Sequence, residues 1–158
     1  MSNQKSTAMR KINSLILLTV TVLICACQTN KQVDRSPIEG AWELIFGQYI
    51  SNGEIIYDYP VNLTGPDMKM WSKEHFIFVG IFQFDTTVIN NYGGGTYTLV
   101  GNIYEENILY HQIESSIGVK IKMLLEISND TLTQTWPVNA NGEIDESNYN
   151  IEKYVRMD

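Results

Sequence analysis

The chain has 158 residues, 44% of them hydrophobic and 18% charged, with a formal net charge of −7. That length and balance fit one globular domain and argue against a disordered or fibrous chain. An acidic surface repels phosphates, which disfavours nucleic-acid partners and attachment to anionic lipid through basic residues.

The first 26 residues differ from the rest. Lys5, Arg10 and Lys11 precede an apolar run from Ile12 to Ile24, the layout of an export signal. Met9 is an equally good start, because the segment that it opens already holds a basic head and an apolar middle. The run is shorter than the roughly 20 residues of a spanning helix. It ends in Ile24-Cys25-Ala26-Cys27, which resembles a bacterial lipobox, although Cys25 departs from the usual Ala or Ser. The resemblance implies cleavage before Cys27, lipid on its thiol, and a membrane partner reached through that lipid. An ordinary secretory signal or an uncleaved anchor helix is the alternative. Gln28 rather than aspartate follows, which leans the expected location to the outer membrane.

Loss of residues 1–26 removes three positive charges and no negative one, so the mature chain carries −10 instead of −7. It keeps one cysteine, Cys27, so an internal disulfide and a cysteine metal site are both excluded from it. Residues 28–37 hold one aliphatic side chain and end in Pro37, the composition of a flexible tether. The folded domain is expected over residues 38–158.

From Ile38 onward, short runs of Tyr, Phe, Ile, Val and Thr alternate with Gly, Asn and Asp. Strands are predicted at 41–50, 54–60, 67–72, 74–84, 94–101, 103–114, 118–128, 131–137 and 148–156. No stretch holds a helical period for three turns. Val119, Ile121, Met123, Leu125 and Ile127 form one apolar row, opposite Lys120, Lys122 and Glu126. The turn signals Val100-Gly101-Asn102 and Ser128-Asn129-Asp130 join strands tightly enough to force antiparallel pairing. The expected fold is therefore all-β, a single small up-and-down barrel of eight or nine strands, with a two-layer sandwich as the alternative.

Gly40-Ala41-Trp42 near the start of this region resembles the Gly-x-Trp signature of lipocalins, in which the tryptophan closes the barrel floor. The resemblance implies a basic partner from the last strand, and Arg156 stands in that place. A longer stretch, Gly94-Gly95-Thr96-Tyr97-Thr98-Leu99 followed by Gly101 to Tyr110, is similar to lipocalin-like domains of unknown function in Gram-negative bacterial lipoproteins. His75-Phe76 and Asp130 to Gln134 extend the likeness, which covers residues 38–156. It implies a small barrel, no catalytic activity, no cofactor and an expected ligand cavity. The second lipocalin motif and the C-terminal helix are absent.

Tyr104, Glu106, Ile108 and Tyr110 fall on one face of their strand by the period of two. If that face looks inward, Glu106 is a carboxylate in an apolar interior and needs a partner. With Tyr104 and Tyr110 it is the candidate polar end of a ligand pocket, and Met123 on the apolar row is a further candidate. A purely structural ion pair at Glu106 is the competing reading. His75 and His111 read as one barrel histidine and one surface histidine, with no third nitrogen to complete a zinc site. The loop 139–146 is rich in oxygen donors but lacks the spacing of a calcium loop.

No Gly-x-Ser-x-Gly is present, and Gly93-Gly94-Gly95 is a hairpin turn or bulge, since no Lys-Ser/Thr follows. Asn62-Leu63-Thr64 carries little weight as a glycosylation triplet behind a bacterial lipobox. The expected function is non-enzymatic: a lipid-anchored barrel that takes a small apolar or amphipathic ligand. A filled barrel that docks a protein partner is the alternative, and a small enzyme built in the barrel mouth is a weaker one.

Overall fold

Two-residue turns set the topology. Asn52-Gly53, Asp85-Thr86, Gly101-Asn102 and Asn129-Asp130 each reverse the chain, and Asn52, Asp85 and Asn129 adopt positive φ near 52–54°. Left-handed backbone of this kind matches the twist of adjoining strands and is least costly for Asn, Asp and Gly. A computed structural model describes residues 36–158. The signal segment 1–26, Cys27 and most of the tether lie outside the described residues.

The strands in chain order are β1 (Gly40–Ser51), β2 (Glu54–Tyr59), β3 (Leu63–Thr64), β4 (Asp67–Trp71), β5 (His75–Phe84) and β6 (Thr87–Val100). They continue with β7 (Ile103–His111), β8 (Lys120–Ser128), β9 (Thr131–Trp136) and β10 (Asn148–Arg156). From β4 to β10 each strand pairs antiparallel with the next, and β1 pairs with both β4 and β10. The sheet therefore closes into an eight-stranded barrel, which excludes the sandwich. β2 and β4 lie end to end along the same side of β1, over residues 47–51 and 40–43 respectively. They are two halves of one barrel strand, interrupted by an excursion that carries β3 onto the end of β5.

Most predicted strands fall within a residue or two of the observed ones. The largest difference is β6, which begins at Thr87 rather than 94. Gly93-Gly94-Gly95 lies inside that strand, at a bulge where Gly94 pairs with Tyr110 but Gly95 pairs with Ile108. A Cβ at Gly95 would overlap the Asn107 carbonyl, so the glycine permits the close strand approach that the barrel wall needs here. The predicted strand 103–114 ends at His111, and one turn of 3-10 helix spans Glu114–Ser116. Val119, read as the first of the apolar row, precedes β8 and is exposed.

One end of the barrel is sealed by Trp42, which is fully buried. Its indole N–H donates to the Ile38 carbonyl at 2.9 Å, and the Arg156 guanidinium lies 4.1 Å above its ring. Arg156 also donates to the carbonyls of Glu39 and Pro37 at 2.9 and 2.7 Å. Gly40 has φ +128°, and a Cβ there would meet the Arg156 Nη1 at 2.8 Å. The turn into β1 thus lies flat beneath the last strand. Trp71, Phe76, Tyr104, Leu132 and Tyr154 join Trp42 in one buried core cluster.

Candidate functional site

Above those aromatic rings the interior becomes polar. β4 points Asp67, Lys69 and Trp71 inward, at 4%, 5% and 4% exposure, and turns its two methionines outward. β7 contributes Glu106, which is 3% exposed. Lys69 Nζ lies 2.5 Å from Glu106 Oε1 and donates to Gln134 Oε1 at 3.2 Å. Tyr104 donates its hydroxyl proton to the same Glu106 oxygen at 2.9 Å and accepts from the Trp71 indole N–H at 2.8 Å. The result is one continuous chain of hydrogen bonds from Trp71 to Gln134, with the ammonium and the carboxylate at its centre.

Four rings surround the ammonium: Trp71 and Phe76 at 5.2 Å, and Phe78 and Tyr104 at 5.9 Å, to their centroids. Ring faces are electron-rich, so they stabilise a desolvated cation that water no longer reaches. A charge pair so placed loses its hydration on both sides, and its hydrogen bonds must offset that loss. Removing either partner would leave the other uncompensated. The Gln134 Nε2 is fully buried and, among the described residues, finds no hydrogen-bond partner beside the pair.

Next to this network lies a cavity of about 220 Å³, part enclosed and part open to solvent. Its charged lining is Asp67, Lys69, Glu106 and Glu152. Its apolar lining includes Phe78, Ile108, Met123 and Trp136, and Asn91 and His111 complete the polar side. The cavity lies toward the end of the barrel that carries the β7–β8 and β9–β10 links, opposite Trp42.

Asp67 accepts from the Asn91 side-chain amide at 2.6 Å. Burial still pushes its carboxyl up to about 6, although Asn91 and the nearby Lys69 charge both pull it down. Glu152 accepts a short hydrogen bond from the Tyr154 hydroxyl. Burial pushes Glu152 up to about 7, against the opposing pull of Lys69 and Tyr154, and the Asp67 and Glu106 charges add to the rise. Both acids are thus poised to exchange a proton near neutral pH, because a desolvated carboxylate is costly.

Of the four pocket residues expected from sequence, Tyr104, Glu106 and Met123 are buried in the interior together with Ile108 of the same strand face as Tyr104 and Glu106, and Glu106, Ile108 and Met123 line the cavity. Tyr110 is not among them. It is 72% exposed, because the bulge at Leu109 shifts the alternation of β7 by one residue and turns Tyr110 out. The same shift brings His111 inward, where its ring packs edge-on against Phe78 at 5.7 Å. His75 is exposed, at the start of β5. In the 139–146 loop, Asn139 and Asp145 accept from the nearby backbone at Asn141, Glu143 and Ser147.

Lys69, Asp67 and Glu152 are absent from the site expected from sequence. β4 reads Asp-Met-Lys-Met-Trp, and hydropathy alone places its methionines inward and its charges outward. Glu152 had a usable signal. Glu152-Lys153-Tyr154 mirrors Tyr104-Glu105-Glu106, and in both strands the tyrosine hydroxyl donates to the carboxylate two residues away on the same face. Compared with models of known protein families the chain matches none, and a comparison with curated proteins gives no significant match.

Proposed function

We propose that this chain is a lipid-anchored protein of the outer membrane, whose lipocalin-like barrel is a non-enzymatic binder of a small amphipathic molecule. The basic head, the short apolar run and the Ile24-Cys25-Ala26-Cys27 sequence support the anchor. One observation carries the binding reading: a cavity of about 220 Å³ lined both by apolar side chains and by four charged groups. Small barrels are often filled by their own side chains. An unfilled space with convergent polar groups is the ordinary form of a ligand site.

Mass spectrometry of small molecules that co-purify with the protein tests this reading. The expected result is one compound in near-stoichiometric amount, released on denaturation. Repeated isolation without any bound compound, from native cells, counts against it. For the anchor, Cys27→Ala is expected to abolish lipid labelling and membrane association, and retention at the membrane contradicts it.

A second reading rests on the outer surface. Ile77, Val79 and Ile81 of β5 are 47–51% exposed in an alternating row, and Tyr92 and Tyr110 on β6 and β7 extend it at 52% and 72%. The strand register joins them into one patch: Val79 pairs with Tyr92, and Ile77 pairs with Gly94, which in turn pairs with Tyr110. A contiguous apolar face of this kind favours docking of a partner protein. Val79→Lys is expected to abolish such docking in a cross-linking assay while leaving small-molecule binding intact.

A further inference from the structure

The cavity wall holds more negative charge than the protein neutralises. Three carboxylates, Asp67, Glu106 and Glu152, face one lysine across it. Lys69 is already engaged, in contact with Glu106 at 2.5 Å and donating to Gln134 at 3.2 Å. Among the described residues neither Asp67 nor Glu152 takes part in an ion pair. Each is held by one neutral side-chain donor, Asn91 for Asp67 and the Tyr154 hydroxyl for Glu152. An ionised carboxylate offers about four acceptor positions, so both retain unused capacity toward the space that they line. His111, also on the wall, accepts the Ile113 N–H at its Nδ1.

We infer that the cavity takes a small organic cation, a primary ammonium on an aryl or short alkyl body. Its nitrogen is held by Asp67 and Glu152, and its apolar body packs against Phe78, Met123 and Trp136. This rests on the reading of the barrel as a ligand binder and names the class of that ligand. Electrostatics sets the sign, because an anionic head would meet two carboxylates with no free cation beside them. Size sets the scale: a cavity of about 150 Å³ holds benzene, so 220 Å³ holds a body only slightly larger. The desolvation that raises both acids is also what a bound cation would relieve.

The test is calorimetric titration of the full chain in phosphatidylcholine nanodiscs, with empty nanodiscs as the blank, at about pH 8, where both acids are ionised. Three probes share one scaffold and differ in the head: 2-phenylethylammonium, 2-phenylethanol and 3-phenylpropanoate. The expected result is binding of the ammonium at least about tenfold tighter than the alcohol, with the carboxylate weakest. Glu152→Gln and Asp67→Asn are each expected to reduce that preference by about tenfold. Both substitutions remove an interior charge without changing shape, and if one variant fails to fold the other carries the comparison. Equal binding of all three probes, or an undiminished preference in the folded variants, overturns the inference and leaves the cavity a ligand site. Absence of binding by any probe overturns the inference and counts against the cavity as a site at all.

Discussion

Among the described residues three cations lie over aromatic rings, Lys69, Lys153 and Arg156, and the first and last are held in different ways. Arg156 sits at the closed end, its guanidinium 4.1 Å above Trp42 and its donors on the backbone carbonyls of Pro37 and Glu39. It is part-exposed; its hydrogen bonds go to neutral carbonyls, and the exposed Asp158 carboxylate lies 3.8 Å from its Nη1. Lys69 sits in the interior among four rings, and a carboxylate in contact with it, Glu106, balances its charge. The first arrangement fastens the turn that enters β1 to the last strand at little desolvation cost. The second holds a charge pair where apolar side chains of equal volume would be no less stable. The contrast separates a part of the barrel that closes it from a part whose polarity closure does not require.

The largest expected effect breaks the interior pair. Lys69→Met leaves Glu106 buried without a cation and should lower unfolding free energy by about 3–5 kcal/mol. Adding Glu106→Leu to that variant should restore most of the loss, as read from denaturant midpoints. A double variant no more stable than Lys69→Met alone would mean that the pair itself holds the barrel together.

The next effect concerns pH. Glu152 rises to about 7 and Asp67 to about 6 in the folded protein, above their ordinary carboxylate values. The folded state therefore binds protons more tightly than the unfolded state. This contribution to stability is complete below the ordinary carboxylate range and is lost as pH rises through about 6–7. The groups that face Glu152 are Lys69 and Tyr154, with Asp67, Glu106 and Tyr57 adding negative or phenolic character. Glu152→Gln should raise stability at about pH 8 by on the order of 1–3 kcal/mol and flatten the melting temperature between about pH 5 and 8.

At the closed end, Arg156→Ala should cost about 1–2 kcal/mol, from one cation–ring contact and two hydrogen bonds to carbonyls. Arg156→Lys should recover only part of this, because a single ammonium does not span both carbonyls in the same plane. The smallest effect is expected outside both regions: Tyr110→Ser, on the outer face, should change stability by within about 0.5 kcal/mol. A loss of several kcal/mol at Tyr110 would mean that the bulge does not turn it outward.

Much of the barrel was legible because its turns are written in Asn, Asp and Gly and its strands alternate. The row Ile121, Met123, Leu125 and Ile127 is on the inner face, while Lys120, Lys122 and Glu126 are exposed. The position of Trp42 beneath Arg156 is the one implied by the resemblance of Gly40-Ala41-Trp42 to the lipocalin signature, not by composition or periodicity. The start of β6 could not, because a run of three glycines has the composition of a turn whether it reverses the chain or lets two strands touch. Tyr110 was misplaced for a related reason: the period of two holds only until a bulge, and the bulge at Leu109 depends on pairing with Gly94-Gly95. Lys69 and Asp67 were hidden by their own polarity, which marks a residue as exposed unless its partners are known. Those partners come from β7, β9 and β6, far away in the chain.

The central claim is that Asp67 and Glu152 line an under-neutralised interior space, and the titration of their carboxyl carbons by nuclear magnetic resonance tests it most directly. Midpoints at about 6 for Asp67 and about 7 for Glu152 are predicted. Midpoints near 4 for both, roughly the range of carboxylates free in water, would contradict it.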